Sequence, residues 1–331
     1  MNNKEIFGES YSVSFVKCVQ SAYICKPIIH IAHPQDYQDG VNYDSIENKS
    51  KFVTDTFKAH QRWLKKVSAM PNLIDAKMLV RCESVPHMWD MYSKLIEIVP
   101  KDIIVCAGAS YNDGEGDKHA FGSEWISNRD EFIKKIQRVK DTQKMIILNY
   151  DIFSEGINVP GITGVLFLQG KMPSIAKVIQ NIGRATRLHR IDRDRLRSGE
   201  ISVSDYSKWV KPYCAVIIPY WDSASEFTKN ILASKIRDLR DSWEFDPHFV
   251  LSVGDDLANN GEDNSDDPLN KLNKGNKKVK LIEEINHEIE ILDKEQTDLK
   301  ENERLQSMGK LELLKEKFGM VGSWIESRNH K

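Results

Sequence analysis

Short apolar runs, each the length of a β-strand, alternate along this chain with stretches whose apolar residues recur at helical spacing. Fully apolar strands that alternate with helices are typical of a parallel sheet covered by helices on both faces. The pattern therefore predicts an α/β fold, whose ligands bind in loops beyond the carboxyl ends of the strands. The strand-like runs are Pro27–Ala32, Ala76–Val80, Ile103–Cys106, Met145–Leu148, Val165–Leu168 and Ala215–Ile218, and the helical stretches are Ile46–Val67, Pro86–Ile98, Asn128–Val139, Pro173–Asn181 and Ser223–Leu239.

Charge and cysteine content narrow the class of protein. The chain has 331 residues with 47 basic and 49 acidic side chains, so nucleic-acid binding would require a local basic patch. The five cysteines are scattered without a CxxC pair, which argues against a disulfide framework or a structural zinc site. The first residues lack the apolar core of a signal peptide, and no apolar run reaches the length of a spanning helix. We expect a cytoplasmic protein with no metal site and no membrane segment.

Composition divides the chain into four parts. Residues 1–26 include a short helical stretch, and residues 27–250 hold the strand–helix alternation. Residues 251–280 are rich in Gly, Asn, Asp and Ser, with acidic residues followed by lysines, which is typical of a disordered linker. Residues 281–320 form a predicted helical tail.

The tail contains a heptad-like pattern with two interpretations. Its apolar residues recur at steps of three and four, and Gln296 stands where an apolar residue is due. The tail either forms a helical hairpin packed on its own domain or a coiled coil with another chain; fewer than three clean heptads favours the hairpin. The apolar positions are Ile282, Ile285, Ile289, Leu292 and Leu299.

Two segments carry recognisable motifs. Asn149–Pro160 reads NYDIFSEGINVP directly after a predicted strand, and Gln180–Arg187 reads QNIGRATR at the end of a predicted helix. They resemble motifs V and VI of superfamily 2 helicases of the DEAD/DEAH type, in the branch of restriction subunits and repair helicases. Met78–Ser84 falls where motif IV belongs, and Phe7–Glu9 resembles the connector between the two helicase lobes. The resemblance covers about residues 6–240 and implies the second RecA-like lobe.

The resemblance makes Arg184 and Arg187 the arginine fingers of an ATPase. An arginine supplied across a cleft stabilises, bidentately, the charge that develops on a leaving phosphate. The two residues are three apart, so on a helical turn they would point to one side. The arginines that follow (Arg193, Arg195 and Arg197) are predicted to form a solvated face, partly neutralised by Asp192 and Asp194.

The same motifs imply contacts to ATP and to nucleic acid. Gly156, Asn158, Gln180 and Gly183 are the predicted ATP-binding residues: the glycines allow close backbone approach, and Asn158, where the family usually has aspartate, can hydrogen-bond ribose or phosphate. Alternatively, Gly156 only shapes a turn. The predicted nucleic-acid contacts lie at or after strand ends, where Ser84 and Ser110 could equally be helix caps. They are Arg81, Ser84, Ser110 and Asp151.

Two motifs of a complete helicase do not occur in the sequence. There is no G-x-x-x-x-G-K-[ST] phosphate loop and no D-E-x-[DH] magnesium box. We therefore expect the second lobe alone, which needs a first lobe, as a separate chain or a missing segment, to bind ATP with Mg²⁺ and act on DNA or RNA. The alternative is a non-catalytic helicase-like scaffold that recruits a helical partner through its C-terminal helices.

Overall fold

The computed structural model contains one sheet of nine strands. It describes residues 15–32, 45–109, 118–150, 159, 161–168, 175–219, 233–234, 236–237, 252–253 and 287–304. The strands are β1 Lys26–Ala32, β2 Lys77–Arg81, β3 Ile103–Ala109, β4 His119–Phe121, β5 Glu124–Ile126, β6 Lys144–Tyr150, β7 Gly164–Phe167, β8 Tyr213–Pro219 and β9 Ser252–Val253.

Four of the predicted helices are found close to their predicted bounds, whereas the helix Arg190–Arg197 was not predicted. Most of the predicted helix Ser223–Leu239 lies outside the described residues. Local capping explains where two helices start: the Ser45 hydroxyl accepts from the Asn48 N–H, and the Asn128 side chain accepts from the first N–H groups of its helix. None of the helices among the described residues is long and apolar enough to cross a membrane. The helices are α1 Phe15–Gln20, α2 Ile46–Val67, α3 Val85–Ile98, α4 Arg129–Arg138, α5 Ile175–Ala185 and α6 Arg190–Arg197, and residues 287–304 form a further helix, α7.

The strand order is β5-β4-β3-β6-β2-β7-β8-β1-β9. All pairs from β3 to β9 are parallel, whereas β4 and β5 form an antiparallel hairpin on the outer side of β3. The predicted α/β class with a mostly parallel sheet is confirmed. The hairpin was not predicted, because each of its strands has only three residues and neither is a continuous apolar run.

Helices cover both faces of the sheet, as predicted. Along β2, Leu79 packs with α4 and α5 on one face, while Met78 and Val80 pack with α2 and α3 on the other. Successive strand residues point to opposite faces, so a fully apolar strand requires apolar cover on both sides. The side chains on each face, together with the helices that cover them, therefore form a separate hydrophobic core.

The start of α7 packs on this domain. Ile289 is buried in the core shared with α4 and α5, and Leu292 packs against it. Further along α7, Leu299 is 62% exposed. The start of α7 is thus in contact with the sheet domain, whereas the predicted hairpin of the tail stays a prediction. Ile282 and Ile285 lie outside the described residues, and a coiled coil of the distal end with another chain stays a prediction.

Two backbone pairings extend the sheet domain beyond its predicted bounds of residues 27–250. β9 pairs with β1 at the edge of the sheet, so residues 252–253 of the predicted linker belong to the sheet. At the other end, Ile24 forms an isolated bridge with Arg187, which ties the predicted connector to motif VI. The sheet domain thus takes in residues from both flanking segments.

Two buried histidines should make the stability of the fold depend on pH. His30 and His60 flank Trp63, and the His60 Nε2 lies 2.8 Å from the Thr163 Oγ1. Burial lowers the pKa of His30 to about 4 and that of His60 to about 3. Since the unfolded chain takes up these protons near pH 6.5, stability is retained above that pH and falls below it. We expect a loss of roughly 2 kcal/mol per histidine between pH 7 and pH 5.

Urea denaturation at the two pH values measures this loss. His60→Gln should reduce the difference between the two pH values by about half, whatever its effect on stability at pH 7. Equal stability of the parent at pH 5 and pH 7 would contradict the assignment of two neutral buried histidines.

Candidate functional site

Motif VI spans the end of α5, and its two arginines differ in position. α5 ends at Ala185, so Arg184 lies in the helix and Arg187 lies beyond it. The prediction that both lie on one helical turn is wrong, because the chain after Ala185 leaves the helix and pairs with Ile24. Arg184 is 6% exposed, and Arg187 is half-buried. Arg187 is therefore the more accessible of the two guanidinium groups in this chain.

A buried lysine holds the backbone of this turn. The Lys211 Nζ donates to the carbonyls of Ala185 at 2.7 Å and of Arg187 at 2.5 Å, and to that of Ile162 at 2.8 Å. The last carbonyls of a helix lack intrahelical partners and carry the negative end of its dipole, so a cation there is stabilising. Lys211 thus caps α5 and fixes residues 184–187, the arginine segment.

The arginine segment is also held from the other side. The Cys25 N–H donates to the Thr186 carbonyl at 2.7 Å, and the Cys25 Sγ lies 3.7 Å from the Ala185 carbonyl. These contacts extend the bridge between Ile24 and Arg187. Backbone groups of the segment are therefore bound both by the lysine before β8 and by the residues before β1.

Asp192 in turn positions Lys211. It is fully buried, and its carboxylate accepts from the N–H groups of Val210 at 2.6 Å and Lys211 at 2.8 Å. The prediction that Asp192 neutralises a solvated arginine face is therefore wrong. Arg195 is likewise not simply solvated, because it donates to Glu200 at 2.7 Å and to the Lys208 carbonyl at 2.8 Å. Arg193 remains exposed, as predicted.

A second ionic cluster includes His189, the residue that precedes α6. The buried Lys77 Nζ is 3.2 Å from the Asp141 Oδ1, and the His189 Nε2 is 3.1 Å from the Asp141 Oδ2. The His189 contact and the charge of Lys77 lower the pKa of Asp141 to about 2, and burial lowers the pKa of Lys77. A Cβ at Gly161, whose φ is +74°, would lie 2.5 Å from the Asp141 Oδ1. The cluster therefore requires glycine immediately after motif V.

The two arginines influence each other electrostatically. Burial and the neighbouring charge of Arg187 both lower the pKa of Arg184. A like charge nearby disfavours the protonated form of a basic group, so the shift places the two guanidinium groups in one electrostatic environment.

The predicted ATP-binding residues are only partly visible. Gln180 and Gly183 lie exposed on α5, and a Cβ at Gly183 would meet none of the described residues within 4 Å. Packing against the described part of the chain therefore does not require a glycine there. Gly156 and Asn158 lie outside the described residues.

Two of the predicted nucleic-acid residues, Arg81 and Ser84, lie at and just after the carboxyl end of β2. Ser84 is the N-cap of α3, accepting from the His87 N–H at 3.3 Å, so the helix-cap interpretation describes its role in this chain. Arg81, at the end of β2, is 4% exposed, with its guanidinium 4.7 Å from the ring centre of Tyr150. Ser110 and Asp151 lie outside the described residues.

One segment of this α/β domain matches a known family. Residues 122–189, about a fifth of the chain, match the family model described as the helicase conserved C-terminal domain. The match includes Gln180, Arg184 and Arg187. The resemblance to a helicase C-terminal domain is thereby confirmed over this segment.

Several solved structures are similar to this chain at low sequence identity. The ATP-dependent Type ISP restriction-modification enzyme LlaBIII bound to DNA is 13% identical, with a TM-score of 0.44 over 76% of this chain and 17% of its own. T4 UvsW is 13% identical, with a TM-score of 0.32 over 69% of this chain and 41% of its own. S. cerevisiae Dbp5 bound to RNA and ADP BeF3 is 13% identical, with a TM-score of 0.38 over 69% and 41%.

The chain thus spans less than half the length of each of these proteins. No curated protein matches the sequence.

Proposed function

We propose that this chain is the second lobe of an ATP-dependent nucleic-acid helicase or translocase. In this proposal Arg184 and Arg187 contact the phosphates of ATP, and Mg²⁺ and the phosphate loop come from a first lobe. Gly156, Asn158, Gln180 and Gly183 line the nucleotide side, and Arg81, Ser84, Ser110 and Asp151 form part of the nucleic-acid track. The match of residues 122–189 to the helicase C-terminal domain supports the class of protein.

The observation that carries the proposal is the support given to the arginine segment. A surface loop that served solubility alone would not need a buried lysine donating to three carbonyls. Burying an ammonium group costs free energy unless hydrogen bonds compensate it. The Lys211 ammonium is therefore stable only while the three carbonyls keep their positions, which restricts the backbone to one geometry. Arginine fingers act by pre-organised position, and a fixed backbone provides it.

The second candidate is a non-catalytic scaffold that recruits a partner through its C-terminal helices. The exposed distal half of α7, with Leu299 62% exposed, favours it. A scaffold does not need guanidinium groups at positions 184 and 187, so lysine at either position would leave its partner binding intact. The two candidates are therefore separated by the dependence of activity on the arginines.

The isolated chain is expected to hydrolyse no ATP above background, with or without nucleic acid. The reason is the lack of a phosphate loop and a magnesium box in the sequence, which the family supplies on the first lobe. Steady-state ATPase assays of the purified chain, with Arg184→Ala as a matched control, test this. Turnover that disappears in Arg184→Ala would contradict the assignment to a half-enzyme.

Binding of the isolated chain to nucleic acid is expected to be weak and sensitive to salt. The net charge is only −2, so local cations must supply the phosphate contacts, and such contacts weaken steeply as counterions are added. Fluorescence anisotropy of a labelled single strand across a salt series measures the slope. Tight binding that persists at high salt would show that phosphate contacts are not the main source of affinity.

A further inference from the structure

An aromatic patch lies at the edge of the sheet that the β4–β5 hairpin forms. Trp89 on α3 and Trp125 on β5 have ring centres 5.1 Å apart, and Tyr92 lies 5.6 Å from Trp125. The Lys118 Nζ lies 4.7 Å from the ring centre of Trp125 and 5.8 Å from that of Trp89. We call Trp89, Trp125 and Lys118 the aromatic ledge.

Packing within the domain explains why Tyr92 is aromatic, but it does not explain the exposed indole of Trp125. Tyr92 is 2% exposed, and its hydroxyl donates to the Gly122 carbonyl, which fixes the turn of the hairpin. Trp125, by contrast, is 53% exposed, so much of the apolar area of its indole remains in water. Lys118 is exposed, and within the described residues it has no carboxylate partner. The ledge thus presents a half-exposed indole and, over its ring, an exposed ammonium group to an external ligand.

The position of the ledge connects it with the proposed nucleic-acid track. Trp89 is on the first turns of α3, the helix that Ser84 caps at the end of β2. His119 pairs with Gly108, so Lys118 lies beside the carboxyl end of β3. The ledge therefore extends the carboxyl edge of the sheet outward past β3, where the track is proposed to run.

We propose that the aromatic ledge stacks an unpaired base of a single-stranded nucleic acid on Trp125, while Lys118 contacts an adjacent phosphate. A ring face that accepts any base, next to a cation that follows the backbone, is the combination used by proteins that bind single strands. Bases inside a duplex are stacked on each other and cannot reach the indole. The inference rests on the proposed function and deepens it by assigning the bound strand a contact site outside the helicase motifs.

The test compares single-strand and duplex binding by the full chain. Anisotropy is measured with labelled oligothymidylate, oligouridylate and a blunt duplex at low salt. Trp125→Ala should weaken single-strand binding about 5- to 100-fold and leave duplex binding unchanged, whereas Trp125→Phe should retain most of the affinity. Lys118→Gln should reduce the salt slope for single strands by about one phosphate contact.

A matched control and a direct readout separate the outcomes. Ile96→Ala removes another exposed apolar side chain from α3 and should change no affinity, and thermal melts verify that each variant is folded. Photocrosslinking of a 5-iodouracil strand should map to Trp125. Unchanged single-strand binding by Trp125→Ala, or an equal loss on duplex, overturns the ledge alone. Failure of the parent chain to bind any strand overturns the nucleic-acid track, and with it the proposed function.

Discussion

Replacing Arg187 by lysine is expected to remove most ATP turnover from a reconstituted two-lobe enzyme. Arginine fingers contribute about 10³ to 10⁵ in rate, and lysine cannot reproduce the planar, bidentate fork. Arg187 is half-buried beyond the end of α5, and Lys211 and Cys25 hold its segment through backbone groups that the substitution leaves in place. Fold and nucleic-acid affinity should therefore be largely retained, so the loss should appear in turnover.

Arg193→Lys is the matched control for this experiment. Arg193 is exposed on α6, whereas Arg195 bonds Glu200 and the Lys208 carbonyl and would confound stability with activity. Turnover of Arg193→Lys should change by less than about threefold, the scale of ordinary surface substitutions. The measurement is steady-state ATPase with saturating nucleic acid, beside a thermal melt of each variant. An Arg187→Lys enzyme as active as the parent would leave the scaffold as the better account.

Replacing Asp192 by alanine is expected to destabilise the fold by about 2 to 6 kcal/mol, since an unsatisfied buried donor costs about 1 to 3 kcal/mol. The substitution leaves two such donors, the buried N–H groups of Val210 and Lys211, without their acceptor. Because Lys211 holds the arginine segment, the loosened turn should also lower turnover in a two-lobe enzyme. Urea denaturation of the isolated chain measures the stability loss.

Asp194→Ala is the control for Asp192. The two residues lie on the same short helix, but Asp194 is exposed. Its replacement should change stability by no more than about 0.5 kcal/mol. If both variants unfold at the same urea concentration, Asp192 does not support the junction between α6 and β8 in the way the hydrogen bonds indicate.

The alternation of apolar strands and helices predicted most of the sheet from the sequence. Ile46–Val67 was predicted as a helix with the bounds that the structure has, because its cap and periodicity are local. The hairpin of β4 and β5 was missed, since three-residue strands are too short for alternation to be detected and gain stability only by pairing with β3. Local pattern identifies an element when the element is long enough to bury its own apolar face.

The motifs located the arginine segment, but its supports could not be predicted. Lys211, Asp192 and Lys77 are buried charged residues whose partners lie far away in sequence. Sequence alone favours exposure for such residues, because burial is acceptable only once a specific partner is in place. Gly161 offered the one local signal, since its backbone conformation favours glycine. The position of Arg187 beyond the end of α5 could not be predicted for the same reason, because bonds to Lys211 and Ile24 hold its backbone there.

The most direct test of the account is the composition and activity of the complex that this chain forms in its native cells. The tagged full chain is captured at its natural level, its partners are identified, and the ATPase of the complex is measured with single-stranded nucleic acid. The account predicts a partner that carries G-x-x-x-x-G-K-[ST] and D-E-x-[DH] motifs, and turnover that Arg187→Lys abolishes. A stable complex with no such polypeptide, or turnover that is unaffected by Arg187→Lys, would contradict it.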